Sequence, residues 1–232
     1  MKKTKKSYLV VGLGRFGISL CEKLIELEQS VIGVDIAPGP VAEMSEKIDI
    51  AAQIDATDES ALIKAGAKEV DVAVVTVSHS LESSVLATSI LRDLGVPLVI
   101  GRASNAMHAK LLSRVGAHKI VFPEWDMGHR LAENLVFPWY SRFIKIGGSD
   151  LLVGKISPQP EMVGKSIAEL RFSQTYNVIV MLVERNGDRK VPQSNVPIEA
   201  DDTLWVAGTQ EALGMLVQYT GNPDEFNLAG ER

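Results

Sequence analysis

Three glycines near the start of the chain have a spacing that suits phosphate binding. The segment YLVVGLGRFG (residues 8–17) places Gly12, Gly14 and Gly17 in the order G-x-G-x-x-G, after a run of β-formers and before an amphipathic stretch. The first glycine of such a turn permits a tight bend, the second lets the backbone approach a phosphate, and the third lets helix and strand pack closely. Amide groups at the helix start then face the anion. The spacing therefore predicts a nucleotide-binding turn.

A cation and an aromatic residue lie between the second and third glycines. The guanidinium of Arg15 could bind a terminal phosphate through two parallel hydrogen bonds, which a lysine could not do. An arginine beside the positive end of a helix is unfavourable unless an anion offsets it. Arg15 therefore favours a ligand with a phosphate chain, such as ADP or ATP. Phe16 is expected to point inward and pack.

An acidic residue follows the glycine turn at the distance that dinucleotide-binding proteins use. Asp35 ends the second apolar run, about 20 positions beyond the turn. A carboxylate at this point accepts hydrogen bonds from ribose hydroxyls and disfavours a 2′-phosphate. Strand, turn, helix and Asp35 together predict a ligand with an adenosine end, while the kind of nucleotide stays open.

The elements that must position these residues alternate along the chain. Amphipathic stretches at 18–28, 84–95 and 106–116 separate short runs rich in β-branched residues. Those runs cover residues 8–12, 31–35, 50–54, 72–77, 98–103 and 119–123. Apolar strands that alternate with helices imply a parallel sheet covered on both faces. We predict an α/β fold with a doubly wound, Rossmann-like parallel sheet over residues 1–123.

The pattern changes after Pro123. Residues 124–148 are predicted to form a helix up to Pro138 and then a linker. The apolar residues of this segment suit a crossover or dimerisation helix, although packing on the chain's own sheet is the alternative. Residues 149–221 are predicted to form a second, small α+β domain with a hairpin at its Asn-Gly pair. Residues 222–232 are predicted to be a disordered tail.

Composition excludes several classes of protein. The net charge of −5 argues against nucleic-acid binding, since neutralising phosphates needs a basic surface. The single cysteine rules out an intrachain disulfide and any cysteine-rich metal site. No apolar run is long enough to span a bilayer, and the lysine-rich start lacks a signal-peptide core. These features predict a cytoplasmic protein.

Few residues suggest catalysis. Among the four histidines, only His79 follows a predicted strand near the expected cleft, and no catalytic triad or metal-ligand pair is evident. We therefore expect no enzymatic activity. An NAD(H)-dependent oxidoreductase stays open as the alternative, and it would need polar catalytic groups near the nicotinamide. A transcription regulator is disfavoured by the acidic balance and by the lack of a helix-turn-helix signal.

Longer motifs resemble one family. The segments VVGLGRFG, IDATDE, GRAS, PEWDMG and GKSIAELRF resemble the cytosolic RCK-domain gating subunits of bacterial potassium uptake systems, the KtrA type of the Ktr/Trk family. The resemblance covers almost the whole chain. It implies an RCK-N domain that binds ATP or ADP, or NAD(H), and an RCK-C (TrkA-C) domain. It also implies a homo-oligomer, built from dimers into an octameric ring, beneath a membrane potassium channel subunit at the inner face of the membrane.

The resemblance also implies roles for particular residues. Glu124 becomes a candidate ligand for Mg²⁺ or another divalent cation, with a plain helix-start carboxylate as the alternative. The residues that would contact the nucleotide, in addition to Gly12, Gly14, Arg15, Phe16, Gly17 and Asp35, are Asp55, Ala56, Thr57, Val77, Ser78 and Arg102. Some relatives bind cyclic di-AMP in the second domain. The residues of such a pocket would be Ile167, Arg171, Asn177, Val178 and Pro192, with simple packing as the alternative.

Overall fold

The computed structural model describes residues 5–77 and 79–219. The chain forms two compact units, which meet in sequence at Met127 and Gly128. The predicted tail at 222–232 and the predicted ligand contact Ser78 lie outside the described residues. Within the described ranges, no helix is both long enough and apolar enough to cross a bilayer.

The first unit contains a six-stranded parallel sheet. Its strands are β1 (Ser7–Val11), β2 (Ser30–Asp35), β3 (Ile50–Gln53), β4 (Val72–Val75), β5 (Leu98–Arg102) and β6 (Lys119–Val121). Their spatial order is β3-β2-β1-β4-β5-β6, and every neighbouring pair is parallel. This is the order of a complete doubly wound sheet, which confirms the predicted fold.

Helices cover this sheet on both faces. They are α1 (Arg15–Glu26), α2 (Pro38–Met44), α3 (Glu59–Lys64), α4 (Leu81–Asp93) and α5 (Ala106–Arg114). Alternate residues of β1 enter separate cores: Leu9 and Val11 pack with Leu91 of α4, whereas Val10 packs with Cys21 of α1. This alternation follows from the two-residue period of a strand, and it explains why the strands are almost wholly apolar.

One helix carries the chain from the first unit into the second. Helix α6 spans Pro123–Val136 and ends before Pro138, as the sequence predicts, and none of its residues is buried. A short 3₁₀ helix, Pro138–Arg142, follows it. Trp139 there packs edge-on against Phe143, with ring centroids 5.5 Å apart. This aromatic cluster belongs to the core of the second unit. The apolar side chains of α6, in contrast, are exposed.

The second unit is a five-stranded antiparallel sheet with short helices. Its strands are β7 (Phe143–Lys145), β8 (Leu151–Ile156), β9 (Val178–Arg185), β10 (Asp188–Lys190) and β11 (Thr203–Thr209), in the order β10-β9-β11-β8-β7. Its helices are α7 (Ile167–Leu170), α8 (Phe172–Thr175) and α9 (Gln210–Tyr219). Asn186 and Gly187 have φ values of 51° and 80° and connect β9 to β10, which confirms the predicted hairpin.

Candidate nucleotide-binding site

The carboxyl ends of the parallel strands bring most of the predicted ligand residues to one edge of the first unit. The glycine turn follows β1, which lies beside β4 where the strand order reverses. Ligands of open α/β sheets bind at such a switch point. The predicted residues at the same edge are Asp35 at the end of β2, Asp55, Ala56 and Thr57 after β3, Val77 after β4, and Arg102 at the end of β5.

Two of the three glycines are required by crowding within the chain. Gly12 has a φ of +99°, and a Cβ there would lie 2.9 Å from the Thr76 hydroxyl oxygen. A Cβ on Gly17 would lie 2.0 Å from the carbonyl oxygen of Gly12. Any side chain at either position therefore displaces the turn or helix α1.

The second glycine has no such reason within the chain. A Cβ on Gly14 would have no described atom within 4 Å, and the residue is exposed. Gly14 is also the N-cap of α1, with no side-chain cap and no acidic residue in the first turn. An open space beside uncapped backbone is what the approach of a ligand phosphate requires. The turn therefore fits a nucleotide.

The start of α1 supplies hydrogen-bond donors for an anion. The first helical bond runs from the amide of Ile18 to the carbonyl oxygen of Gly14, over 2.9 Å. The amides of Arg15, Phe16 and Gly17 come before it and have no intrahelical acceptor. Arg15 is exposed and forms no ion pair with any described residue. These positive groups at a helix N-terminus favour an anionic ligand.

Asp35 holds the turn in place. One carboxylate oxygen accepts a hydrogen bond from the amide of Leu13 at 2.6 Å, and the other accepts one from the amide of Ala37 at 2.8 Å. A carboxylate has about four lone-pair positions, so ribose hydroxyls could still donate to it. Its predicted contact with ribose stays a prediction, and its structural role is to connect the turn to the end of β2.

Thr76 supports the glycine turn, although it is not among the residues predicted from the sequence. Its side chain is buried, and its hydroxyl donates to the carbonyl oxygen of Gly12 at 2.6 Å. Its amide also donates to the carbonyl oxygen of Val11 at 2.8 Å. Thr76 therefore fixes the first glycine from the neighbouring strand. One signal was available, because a threonine interrupts the apolar run VAVVTV.

Arg102, at the end of β5, contacts three other elements of this edge. Its side chain is only 15% exposed, and its Nη1 donates to the carbonyl oxygen of Thr76 at 3.1 Å. Its Nη2 pairs with the carboxylate of Glu124, and its Cζ lies 5.8 Å from the ring centroid of Phe16. Phe16, which was predicted to pack inward, is half-buried, and its ring lies beside this guanidinium. An arginine over an aromatic face is a stabilising arrangement.

Glu124 is in the first turn of α6, and its side chain is 64% exposed. The hydrogen bond from Arg102 holds the pKa of this carboxyl below its ordinary value. No group of three or more His, Cys, Asp or Glu side chains that could hold a metal occurs among the described residues. A cation at Glu124 would therefore need other oxygens, such as those of a phosphate. The metal role of Glu124 stays a prediction.

The residues that follow β3 and β4 lie at the same end of the sheet as the glycine turn. Asp55 accepts hydrogen bonds from the amide of Thr57 at 2.9 Å and from its hydroxyl at 2.8 Å, which lower the pKa of Asp55. Ala56 and Val77 are half-buried against the core. These contacts give the loop a fixed shape, and no adenine contact follows from them alone.

The histidines have separate surroundings. His79 is exposed in the loop after β4. His108 is buried inside the first unit, where its Nε2 lies 3.2 Å from the hydroxyl of Ser84, and burial lowers its pKa. The role of His108 is therefore structural.

The residues predicted to bind cyclic di-AMP are divided between two clefts of the second unit. Ile167 lines both of them. It shares a cleft of about 660 Å³ with Pro192, and a cleft of about 590 Å³ with Arg171 and Val178. Asn177 precedes β9 with a left-handed φ of 52°. The structure does not bring all five residues into one pocket of a single chain.

The fold and the site define a class: a Rossmann-type nucleotide-binding domain joined to a small α+β domain. The TrkA-N domain family matches residues 8–123, and the TrkA-C domain family matches residues 155–221. The chain belongs to the family of proteins that combine these two domains, which confirms the resemblance seen in its motifs.

Named relatives and a solved structure agree with this assignment. The chain is 33% identical to Ktr system potassium uptake protein C of Bacillus subtilis (strain 168), over 88% of this chain and 93% of that protein. It is 28% identical to Ktr system potassium uptake protein A of Vibrio alginolyticus, over 92% of this chain and 97% of that protein. The GsuK channel bound to NAD matches with a TM-score of 0.54 and 21% identity, over 94% of this chain and 39% of that chain. At this identity the GsuK structure shows the fold alone.

Proposed function

We propose that this chain is the nucleotide-binding gating subunit of a potassium uptake system. The observation that carries the proposal is the open, uncapped turn at Gly14, in a chain that matches potassium uptake proteins over almost their whole length. No bond is made or broken at the site. The ligand acts by its difference in affinity for two conformations of the assembly, since only such a difference shifts an equilibrium.

The proposed ligand is ATP or ADP, with NAD(H) as the other nucleotide that the site would accept. The amides at the start of α1 bind the phosphates, Asp35 accepts from the ribose, and Arg15 reaches the terminal phosphate. Mg²⁺ or another divalent cation would share a phosphate with Glu124. The support for NAD(H) is Asp35 together with the NAD-bound GsuK channel, whose fold this chain shares. The same features keep an NAD(H)-dependent oxidoreductase as the second candidate function.

The proposed assembly is a homo-oligomer at the cytoplasmic face of the membrane. Helix α6 has a set of exposed apolar side chains suited to a second copy of the chain: Met127 at 62%, Leu131 at 52%, Leu135 at 65% and Val136 at 68%. Dimers formed in this way would build an octameric ring that contacts the membrane channel subunit. The two clefts beside Ile167 would contribute to cyclic di-AMP binding, with the rest of the pocket supplied by a second copy.

Calorimetric titration of the purified protein with ATP, ADP, NADH and cyclic di-AMP, with and without Mg²⁺, tests the choice of ligand. A sharper test uses Gly14→Asp. Aspartate is a favourable N-cap, so this variant should fold at least as well as the native chain. Its carboxylate would occupy the open space and repel phosphate, so ATP, ADP and NADH binding should fall at least about a hundredfold.

The matched control is Gly147→Asp, which adds the same charge at an exposed loop position that also has no atom within 4 Å of a Cβ. It should leave nucleotide binding unchanged. Unaltered binding by Gly14→Asp would contradict the proposed site. Turnover of a hydroxy- or keto-substrate with NAD(H) by the native protein would favour the oxidoreductase instead.

A further inference from the structure

His108 is a buried titratable residue that lies between two segments of the first unit. It belongs to α5 and is only 1% exposed. Its Nε2 lies 3.2 Å from the hydroxyl oxygen of Ser84, a fully buried residue of α4. On the other side of the ring, Nδ1 lies 3.4 Å from the amide nitrogen of Ser104, in the loop between β5 and α5. The imidazole therefore connects helix α4 to the loop that follows β5.

The contact with Ser104 determines which protonation state of His108 fits. A backbone amide can only donate, so Nδ1 must be the acceptor. The proton of a neutral imidazole then resides on Nε2, which donates to the hydroxyl of Ser84. A charged ring would carry a proton on both nitrogens. The Ser104 hydroxyl, 3.3 Å from Nδ1, could accept that second proton, but the Ser104 amide would lose its acceptor. These contacts therefore require a neutral ring.

The surroundings of His108 give a proton on its ring no counter-charge. The residues of α4 that are buried are all uncharged: Ser84, Ala87, Thr88 and Leu91. The charged residues on α4, α5, β5 and β6 are Glu82, Arg92, Asp93, Arg102, Lys110, Arg114 and Lys119. None of these seven residues shifts the pKa of His108, which burial alone lowers. Burial of an uncompensated charge is unfavourable, so a proton on the ring weakens the contacts on both sides of it.

The two segments that His108 connects follow strands that carry predicted ligand residues. Ser104 comes two positions after Arg102, and α4 begins after the loop that contains Val77. The ends of these strands are also in contact, because Arg102 donates to the carbonyl oxygen of Thr76 at 3.1 Å. Loss of the contact with Ser104 would free the loop beside Arg102. His108 therefore supports this part of the edge from within the unit.

We propose that His108 is a positioning residue of the nucleotide site: its neutral imidazole holds α4 and the loop after β5 together, and a proton on the ring releases the loop. This inference rests on the proposed nucleotide-binding function and adds a dependence on pH. A released ring has its ordinary pKa of 6.5, whereas burial keeps the pKa of the connected ring lower. Acid below about pH 6.5 therefore favours the released form, and nucleotide binding should weaken over that range.

The first arm of the test needs no nucleotide and no variant. Two-bond ¹⁵N–¹H correlations of the histidine rings are recorded for the native chain from about pH 8 to about pH 5.5. At about pH 7.5 the ring of His108 should be neutral, with its proton on Nε2. Its titration should lie below its ordinary value of 6.5. A proton on Nδ1, or a ring that is charged at about pH 7.5, overturns the proposal.

The second arm compares the affinity for ADP, ATP and NADH in the native chain and in His108→Asn. An asparagine does not titrate, and its amide oxygen can still accept from the amide of Ser104. Affinity is measured at about pH 7.5 and at the lowest pH, not below about 5.5, at which both chains keep their circular dichroism. Between these two conditions the native chain should lose about fivefold more affinity than His108→Asn. Titration of the nucleotide's own phosphates affects both chains equally and cancels.

His129→Asn is the matched control, since it removes an exposed histidine of α6, and it should respond to acid like the native chain. Equal loss of affinity in the native chain and in His108→Asn overturns the role of His108 and leaves the proposed function standing. A native chain that binds none of the three nucleotides at about pH 7.5 overturns the proposed function and the inference together.

Discussion

Arg102 in the first unit and Arg185 in the second each connect parts of the chain that are distant in sequence, and their contacts are built differently. Arg185 bonds both oxygens of Asp202, at 2.7 Å and 2.8 Å, and also pairs with Glu199. The side chain of Asp202 is completely buried. Arg102 instead holds one exposed carboxylate, that of Glu124, through a single nitrogen.

The difference shows how strongly the burial of the partner decides what an arginine contributes to stability. The bidentate contact of Arg185 satisfies its donors, and removing a buried partner from such a pair leaves an uncompensated charge. An ion pair with an exposed partner contributes little to stability and is easily exchanged. Arg185 therefore stabilises the second unit, whereas the pair of Arg102 with Glu124 contributes less to stability.

The largest expected effect comes from breaking the buried pair. Asp202→Asn leaves Arg185 without its buried counter-charge, and we expect the melting temperature of the second unit to fall by about 10 °C. Thermal unfolding followed by tryptophan fluorescence measures this change. Glu199→Gln removes a carboxylate that is 63% exposed and should shift the melting temperature by at most about 2 °C. Equal shifts in the two variants would contradict the contrast between the arginines.

Acid should weaken the ion pair between Arg185 and Asp202. The hydrogen bonds from Arg185, aided by the amide of Glu199, hold the pKa of Asp202 below its ordinary value of 3.8. A carboxyl whose pKa is lower in the folded state stabilises the protein above the unfolded pKa, and this contribution is lost as pH falls through the folded pKa. Melting temperatures measured from about pH 6 to about pH 3 should therefore drop more steeply for the native chain than for Asp202→Asn. Parallel curves would exclude Asp202 as the titrating group.

A smaller effect is expected from a change at Thr76, which contacts both Arg102 and the glycine turn. Thr76→Val removes the hydroxyl that bonds the carbonyl oxygen of Gly12, leaving that acceptor without its side-chain donor. We expect a loss of about 1–2 kcal/mol in the free energy of unfolding, together with weaker nucleotide binding. Chemical denaturation and calorimetry measure the two changes. Thr76→Ser keeps the hydroxyl and should bind nucleotide like the native chain.

The smallest expected effect is at the exposed pair. Glu124→Gln should change the free energy of unfolding by less than about 1 kcal/mol, because its carboxylate is mostly in water. The same denaturation experiment measures it. A loss of stability as large as that of Asp202→Asn would mean that the pair of Arg102 with Glu124 stabilises the fold as much as the pair of Arg185 with Asp202.

Local patterns were sufficient to predict the fold. Short apolar runs that alternate with helical periods predicted the six parallel strands and their helices, because the central strands β1 and β4 lie largely in the core and are therefore almost wholly apolar. The Asn186-Gly187 pair predicted its hairpin because only a few residues accept two successive left-handed positions. The need for glycine at positions 12 and 17 could also be predicted, because their spacing is that of a known phosphate-binding turn.

The long-range contacts around the glycine turn could not be predicted from local sequence patterns. Thr76 meets Gly12 across 64 positions of sequence, and Arg102 meets Glu124 across 22. These pairs depend on which strands become neighbours and on where α6 begins after β6, and no periodicity encodes either. The contact between Phe16 and Arg102 could not be predicted for the same reason, because the guanidinium above the ring comes from β5.

Helix α6 consists of fourteen residues without one buried side chain, and it contains a glycine. An isolated segment of that length is only marginally helical in water, because nucleation is costly. If the proposed homo-oligomer forms through this helix, its helical content should follow the concentration of the protein and fall on dilution. Circular dichroism over a dilution series would then report how tightly copies of the chain hold together.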